Sequence, residues 1–432
     1  MKIRKYSLCL MLLILSGISG VFWIIESNVA IQNENETELK DIELEIWYPW
    51  TDKNELYEKA FLETVAEYNQ THSGVRLVPY GMEMELYREK LPADIASNDT
   101  PDIYYCFSGA YMEKIVRSGR ILMLDDYLNG LISDTDKKEI LSEMIFDDNL
   151  YGLGFARTAG MFLVNEEMFE RYQLEIPETK EQLMTVCREF LNYGITPLAC
   201  SEDADVGFRM YLEALCMSEA GAESCIDIMT GKEPVNDAFM TGIRQFLTLV
   251  DMGAFGTVPV QENTHEVEED FLLSRIPMYY TKNSFIGTIL QRNSPLYGKI
   301  RAVPFPGMGE NVLMGGLCDG FVINAAAGYP EESTLALWEL TQGFSEKLYA
   351  SGAGVSVWRT ADDVPESILQ DEEGNRIYLD MMELIRSAEQ YVPFWENAVD
   401  RERVKVYTEA SRELFEQDIN AEEFVELISG GG

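Results

Sequence analysis

The chain has 432 residues, and its 34 lysines and arginines against 74 aspartates and glutamates give a formal net charge of −40. The summed field of such a charge repels phosphate backbones, which excludes nucleic acid as a partner. With 46% hydrophobic and 11% aromatic residues, the chain is too apolar to be disordered. Its length suits two or three domains or two large lobes.

The N-terminus has an order of charges and apolar residues that is typical of export. Three cations among the first five residues precede an uncharged, mostly apolar run over residues 6–25, which approaches the roughly 20 residues that a helix needs to cross a bilayer. We therefore expect residues 1–30 to be either a cleaved signal peptide or an uncleaved anchor that contacts the membrane through residues 6–25. The polar residues 31–41 predict a flexible linker. In both cases the bulk of the protein is expected to be extracytoplasmic, secreted or held at the cell surface.

Strands and helices alternate in the first part of the folded region. Residues 43–50 predict a strand, and apolar residues at helical spacing between Leu56 and Tyr68 predict a helix. Further strands are predicted at 75–80 and 102–107, with a helix at about 83–97 between them. Strand, helix, strand, helix, strand is the order of a doubly wound α/β sheet.

The remainder of the chain continues in the same style. Thr179 and Gln182 have the spacing of a capping box at the start of a helix that ends at Gly194. Strands are predicted within 150–165 and at 195–200, 275–281, 299–305 and 320–324. Helices are predicted at about 206–219, 237–252, 332–350, 376–390 and 402–416.

Motifs of catalysis and of metal binding are missing from the sequence. The chain has two histidines, no CxxC pair and none of the common nucleophile, zinc-protease or phosphate-loop motifs, so we predict no catalytic residue, no metal site and no cofactor. The sequence leaves a Cys216–Cys225 disulfide open. It also leaves open a glycosidase that uses a pair of carboxylates, because so acidic a chain always contains such pairs.

Aromatic residues stand close to the ends of several predicted strands. Trp47, Trp50, Tyr111, Phe285 and Trp395 have such positions, and ligands of doubly wound sheets bind outside the carboxyl ends of the strands. Aromatic faces stack on the apolar faces of sugar rings, while carboxylates and amides bond the hydroxyl groups. The pattern indicates a sugar site, with the alternative that each of these rings belongs to the core.

Five blocks of sequence between about residues 43 and 428 carry a family resemblance through their order and spacing. The blocks are residues 90–128, 147–184, 193–203, 271–285 and 300–324. Together they resemble the extracellular solute-binding proteins of bacterial ABC sugar importers, the group that includes the maltodextrin-binding protein. The resemblance implies a two-lobed, type II periplasmic-binding-protein-like α/β fold. Each lobe would be a doubly wound sheet, and a hinge would close the lobes on a ligand in the cleft between them.

The same resemblance implies how the chain divides between the lobes. Lobe one is expected to hold residues 41–158 and 303–343, and lobe two residues 159–302 and 344–432. The three chain crossings are expected near residues 157–160, 301–305 and 341–346.

The resemblance also implies the function and the partners. We expect a monomeric binding protein that captures a carbohydrate, an oligosaccharide in particular, and delivers it to the permease subunits of an ABC importer without catalysis. One alternative is an anchored binding protein that reports its ligand to a sensor system, and another is the carboxylate-pair enzyme.

Finally, the resemblance implies a ligand site that combines aromatic, hydroxyl and charged side chains. Thr51 and Asp52 match positions that bond sugar hydroxyls, Asp205 and Phe208 match a carboxylate–aromatic pair, and Trp395 matches a stacking ring. The expected ligand-binding residues are Trp47, Trp50, Thr51, Asp52, Ser108, Tyr111, Arg157, Asp205, Phe208, Phe285, Asp319, Tyr391 and Trp395.

Overall fold

A computed structural model gives the structure of the protein. It describes residues 42–51, 56–201, 207–256, 263–291, 293–309, 311–317, 320–359 and 363–430. The predicted export segment, the linker and the site residues Asp52, Asp205 and Asp319 lie outside these residues. Within the described part of the chain, none of the helices is both long enough and apolar enough to cross a membrane.

The described residues form helices and strands throughout the chain. The strands are β1 (Ile42–Tyr48), β2 (Val75–Gly81), β3 (Ile103–Cys106), β4 (Ile145–Phe146), β5 (Asn149–Leu150), β6 (Gly152–Gly154), β7 (Ala156–Asn165), β8 (Leu198–Ala199), β9 (Met278–Lys282), β10 (Ile300–Val303), β11 (Val312–Leu317), β12 (Gly320–Ile323), β13 (Val355–Ser356) and β14 (Gln390–Val392). The helices are α1 (Leu56–Thr71), α2 (Met84–Ser97), α3 (Ala110–Arg117), α4 (Asp134–Ile140), α5 (Glu166–Tyr172), α6 (Lys180–Asn192), α7 (Phe208–Ala220), α8 (Ala222–Met229), α9 (Asp237–Asp251), α10 (Thr264–Leu272), α11 (Ile286–Ile289), α12 (Pro330–Ser351), α13 (Glu366–Leu369), α14 (Arg376–Ser387), α15 (Trp395–Ala398), α16 (Arg401–Phe415) and α17 (Ala421–Gly430).

The sheet of the first lobe has the strand order β2-β1-β3-β12-β6. Strand β1 lies parallel to β2 and to β3, whereas β12 is antiparallel to both β3 and β6. All four residues of β3 are buried, as a strand that is covered on both faces requires. The sheet is therefore mixed, with its parallel part made by the strand–helix–strand units that the sequence predicts.

The sheet of the second lobe is organised around the long strand β7. Its order is β14-β11-β7-β9-β8, and β10 and β13 also pair with β7. Residues 303–343 were expected in lobe one, but β11 pairs with β7 through Gly315–Ala159, Gly316–Thr158 and Leu317–Arg157. The difference has a physical reason, because strand pairing over so long a separation depends on tertiary contacts that a local pattern does not contain.

The order of the described strands shows three passages of the chain between the two sheets. It leaves the first sheet at Phe155, between β6 and β7, and returns to it between β11 and β12. It leaves again after α12, because helix residues such as Phe344 belong to the core of the first lobe whereas β13 pairs with β7. The second and third passages thus lie further along the chain than residues 301–305 and 341–346.

Strand β7 separates two cores in the second lobe. Phe162 and Val164 point into the core on one face, while Met161 and Leu163 point into the core on the other, as the period of two in a strand requires. Cys216 and Cys225 are buried free thiols, so the disulfide that the sequence left open is not formed in this structure.

Candidate binding site

A cavity of about 500 Å³ lies between the two lobes. From the first lobe its wall contains residues of α2, α3 and the end of β3, and from the second lobe residues of β9, β11, α15 and α16. Its aromatic rings are Tyr105, Phe107, Tyr111 and Phe394. Its charged side chains are Arg88, Glu89, Glu143, Lys282, Glu396, Lys405, Glu409 and Arg412, and its hydroxyl and amide groups are Ser108, Thr158, Asn397 and Thr408.

The wall from the first lobe is a chain of aromatic rings. The ring centroids of Tyr105 and Phe107 are 5.4 Å apart, and those of Phe107 and Tyr111 are 5.6 Å apart, both in edge-to-face geometry. The guanidinium carbon of Arg88 lies 5.1 Å from the centroid of Phe107. Edge-to-face packing holds the rings in defined orientations, and the cation adds hydrogen-bond donors beside them.

The wall from the second lobe combines one ring with charged and hydroxyl groups. The ammonium nitrogen of Lys282 lies 5.4 Å from the centroid of Phe394. Next to this ring, Glu396 accepts a hydrogen bond from the guanidinium of Arg209 at 3.1 Å. The same guanidinium donates to Oγ1 of Thr408 at 3.1 Å. Aromatic, donor and acceptor groups therefore face the cavity from both lobes.

A buried carboxylate lies behind this wall. Glu213 is 3% exposed, and it accepts hydrogen bonds from the backbone N–H of Trp395 at 3.0 Å and from the hydroxyl of Tyr407 at 2.9 Å. Burial raises the pKa of Glu213 from its ordinary 4.5 to about 7, although these hydrogen bonds and the charge of Arg209 act in the opposite direction.

The lobes touch each other at one end of the cavity. Gly109 precedes α3 with φ 66°, and a Cβ atom at this position would lie 2.7 Å from the backbone oxygen of Asn397. Close by, Lys114 of the first lobe and Asp400 of the second form an ion pair at 3.9 Å. Gly316 and Glu143 also line the cavity, and a Cβ atom at Gly316 would lie 2.6 Å from Oε1 of Glu143. The absence of a side chain at Gly316 therefore lets a carboxylate of the first lobe approach the backbone of β11.

The expected site residues fall into several groups. Ser108 and Tyr111 line the cavity. Thr51 lies exposed after β1. Arg157 lies in β7 beside the cavity residue Thr158, with its guanidinium carbon 5.7 Å from the ring centroid of Tyr391, which packs against a core of the second lobe.

The remaining described members of the expected site are core residues in the structure. Trp47 and Trp50 belong to the core of the first lobe, and Phe208, Phe285 and Trp395 to the two cores of the second. Trp395 is 0% exposed and stacks on Phe239 with a centroid distance of 5.4 Å and an interplanar angle of 17°. Its ring faces are occupied by protein, so they offer no surface to a ligand in this arrangement.

Several cavity residues were missed by the sequence analysis although they adjoin expected ones. Phe107 precedes Ser108, and Phe394 and Glu396 flank Trp395. The sequence therefore indicated the right loops. Which of the neighbouring residues in each loop faces the cavity depends on the path of the backbone. The buried Arg209 carried no sequence signal beyond its position next to Phe208.

Two α/β lobes that face each other across a cavity lined with aromatic and polar groups define a two-lobed binding protein. The family model described as bacterial extracellular solute-binding protein matches residues 52–334, which is more than half of the chain. The protein therefore belongs to this family, as the resemblance predicted. A sequence comparison with curated proteins finds no match.

Solved structures with a similar fold cover nearly the whole described region. A structure on xylan utilization by the thermophilic bacterium Caldanaerobius polysaccharolyticus has a TM-score of 0.82 at 24% identity and covers 90% of this chain and 99% of its own. A chitin oligosaccharide binding protein has a TM-score of 0.77 at 19% identity, with coverages of 90% and 97%. A Streptococcus pneumoniae solute-binding protein in complex with the blood group A-trisaccharide has a TM-score of 0.71 at 12% identity, with coverages of 90% and 98%. These likenesses confirm the prediction of a two-lobed α/β fold.

Proposed function

We propose that this protein captures an oligosaccharide outside the cytoplasmic membrane and delivers it to the permease subunits of an ABC importer. The observation that carries the proposal is the cavity between the lobes, whose wall alternates aromatic rings with hydrogen-bonding groups. Family membership supports it, as do the structural relatives that bind chitin oligosaccharide, raffinose and a blood group trisaccharide.

The cavity residues have complementary roles toward a sugar. The rings of Phe107, Tyr111 and Phe394 pack against the C–H faces of sugar rings, where they replace water by apolar contact. Carboxylates such as Glu396 accept hydrogen bonds from sugar hydroxyls, and the cations of Arg88 and Lys282 donate to sugar oxygens. A volume of about 500 Å³ falls in the range of small-molecule sites and suits a short oligosaccharide.

Closure of the lobes would signal that the ligand is present. The hinge consists of the three passages between the sheets, and Phe155 lies in the first of them. The contacts of Gly109 with Asn397 and of Lys114 with Asp400 form when the lobes approach, so a bound sugar that bridges both walls stabilises the closed form. The permease recognises this form, and the protein acts as a monomer.

Cleavage or retention of the export segment determines whether the protein is anchored at the cell surface. Residues 1–30 either are removed as a signal peptide or remain as the anchor, with 31–41 as the linker. Mass spectrometry of the protein isolated from its native cells distinguishes the two, because cleavage removes the apolar run from the N-terminal peptide.

The proposal is tested by ligand screening with the full-length chain, kept in solution by a detergent that has no sugar head group. Xylotriose, triacetylchitotriose and raffinose are compared with free amino acids and a short peptide, and thermal unfolding and calorimetry are followed. A bound sugar raises the unfolding temperature by mass action, and the sugar should be recovered uncleaved. A shift with an amino acid or peptide and with none of a broad sugar panel would refute the carbohydrate proposal, and cleavage of the sugar would favour the enzyme alternative.

A matched pair of variants connects the binding to the cavity. Tyr111→Ala removes a ring from the cavity wall and should weaken sugar binding, whereas Tyr193→Ala removes an exposed ring from elsewhere and should leave affinity unchanged. Equal affinities for the two variants would show that the sugar binds at another site.

A further inference from the structure

Arg209, in the first turn of α7, is buried without touching the cavity. It is 4% exposed, and buried arginines need charged or hydrogen-bonding partners because desolvation of the guanidinium is costly. One of its nitrogen atoms bonds Oε2 of Glu396 and the other bonds Oγ1 of Thr408, each at 3.1 Å. Both partners line the cavity, and they come from two different helices, α15 and α16.

The planar guanidinium sets the relative position of these two cavity groups. Its donors form a rigid fork, so the carboxylate of Glu396 and the hydroxyl of Thr408 are held side by side from behind. Since Oγ1 of Thr408 accepts from Arg209, its own proton is directed elsewhere. The carboxylate of Glu396 has about four acceptor positions, of which Arg209 uses one. A donor and an acceptor therefore stand next to each other at the wall.

Arg209 is itself held in place on its other sides. Its guanidinium carbon lies 5.5 Å from the ring centroid of Tyr407, whose hydroxyl donates to the buried carboxylate of Glu213. The charge of Glu213 also interacts with Arg209, so the arginine stands between two carboxylates. This arrangement ties α7, α15 and α16 together and leaves the guanidinium little freedom to turn away from the cavity groups.

We infer that Arg209 is a positioning residue for ligand binding: it fixes Glu396 and Thr408 as an acceptor–donor pair for adjacent hydroxyl groups of a sugar. The inference rests on the proposed function, because it assumes that a sugar occupies the cavity. Adjacent hydroxyls match the pair, since each hydroxyl can donate one hydrogen bond and accept another.

The test is a double-mutant cycle on sugar affinity with the full-length chain in the same sugar-free detergent. The probes are xylotriose, triacetylchitotriose and raffinose, and calorimetry measures affinity while thermal unfolding without sugar measures stability. Arg209→Met should weaken binding by about tenfold or more, because a charge-assisted contact is misplaced. Thr408→Val, which keeps the shape of the side chain, should weaken binding too, and the combined variant should lose less than the product of the two effects.

Two further variants separate positioning from a general structural role. Arg244→Met removes a cation of the same lobe that pairs with Glu422 on the exposed surface, and it should leave affinity unchanged. Arg209→Lys keeps the charge without the fork and should recover stability more than affinity. It also serves if Arg209→Met fails to fold.

The outcomes distinguish the inference from the proposed function. If the unmodified protein binds neither these three sugars nor any other member of the broad sugar panel, the proposed function and the inference fail together. If it binds a sugar and the Arg209 variants bind equally well, or if the effects of Arg209 and Thr408 multiply independently, the inference alone is overturned.

Discussion

Replacement of Glu213 by glutamine isolates the contribution that the titration of this buried carboxyl makes to the free energy of unfolding. The side chain accepts hydrogen bonds from the backbone N–H of Trp395 and the hydroxyl of Tyr407. A glutamine can satisfy both neighbours, because its amide oxygen accepts from the backbone N–H and its amide nitrogen donates to the oxygen of Tyr407. The substitution therefore removes the titration while keeping the shape and the contacts.

The sign of the pH dependence follows from the direction in which the pKa moves. Burial raises the pKa of Glu213 from 4.5 to about 7, so between these values the native state binds more protons than the unfolded state. The contribution of Glu213 to stability is then fully present below pH 4.5 and is lost as the pH rises through 7. Since a tenfold change in proton affinity corresponds to about 1.4 kcal/mol, the loss of stability amounts to about 3 kcal/mol.

The groups that interact with this carboxylate come from the elements packed around it. They are Arg209, Glu396, Tyr407, Tyr280, Cys216 and Cys225. Burial raises the pKa of each of these tyrosines and thiols above its ordinary value, so none of them titrates near pH 7 in the native state.

The measurement is urea unfolding of the full-length chain and of Glu213→Gln at pH 5 and pH 8, followed by circular dichroism. The other carboxylates contribute equally to both proteins, so the difference between the two free energies of unfolding isolates Glu213. This difference should change by about 2.5 kcal/mol between the two pH values, because part of the contribution is already lost at pH 5, with the wild type losing stability toward pH 8. Glu223→Gln, at an exposed position of α8, is the control, and it should follow the wild type at both pH values. A constant difference between wild type and Glu213→Gln would refute the reasoning.

Three further substitutions have definite expected results. Gly109→Ala should weaken sugar binding, because its Cβ atom would meet the backbone oxygen of Asn397 when the lobes close; Gly119→Ala has a similar positive φ but nothing within 4 Å, and calorimetry should show normal affinity for it. Trp395→Ala should lower the free energy of unfolding by about 3–5 kcal/mol, since it empties a fully buried site, and a loss below about 1 kcal/mol would contradict that burial. Asp400→Ala removes the cap that accepts two backbone N–H bonds at the start of α16 and should cost about 1 kcal/mol in urea unfolding, whereas Asp400→Ser should retain most of the stability.

Elements with strong periodicity could be predicted from the sequence. The helix predicted at 237–252 extends over Asp237–Asp251, and the strand predicted at 43–50 extends over Ile42–Tyr48. The capping box of Thr179 and Gln182 is formed. Each of these features depends on residues within a few positions of one another, so the local sequence contains the information.

Sheet membership could not be predicted from the same kind of pattern. Strand β10 begins at Ile300 and β11 at Val312, and both pair with β7, which lies more than a hundred residues earlier. Strand β12 comes directly afterwards and pairs instead with β3 and β6 of the other lobe. Pairing at such separations is decided by which partner buries the strand, and this depends on the assembled fold.

The binding site shows a related limit of sequence reasoning. The sequence pattern around an aromatic residue near a strand end is the same whether its ring fills a core or faces a ligand. In the loop after β14, Phe394 is 5% exposed and still lines the cavity, whereas Trp395 is fully buried and stacks on Phe239. Only the backbone path separates these neighbours.

The strong negative charge of the chain lies outside the cavity. Among the described residues of the cavity wall, four side chains are acidic and four are basic. The acidic ones are Glu89, Glu143, Glu396 and Glu409, and the basic ones are Arg88, Lys282, Lys405 and Arg412. The net charge of −40 therefore belongs to the rest of the molecule, where it favours solubility. A wall with balanced charges discriminates among ligands by the placement of rings, donors and acceptors, which suits a neutral sugar and makes the geometry of groups such as Glu396 and Thr408 the determinant of specificity.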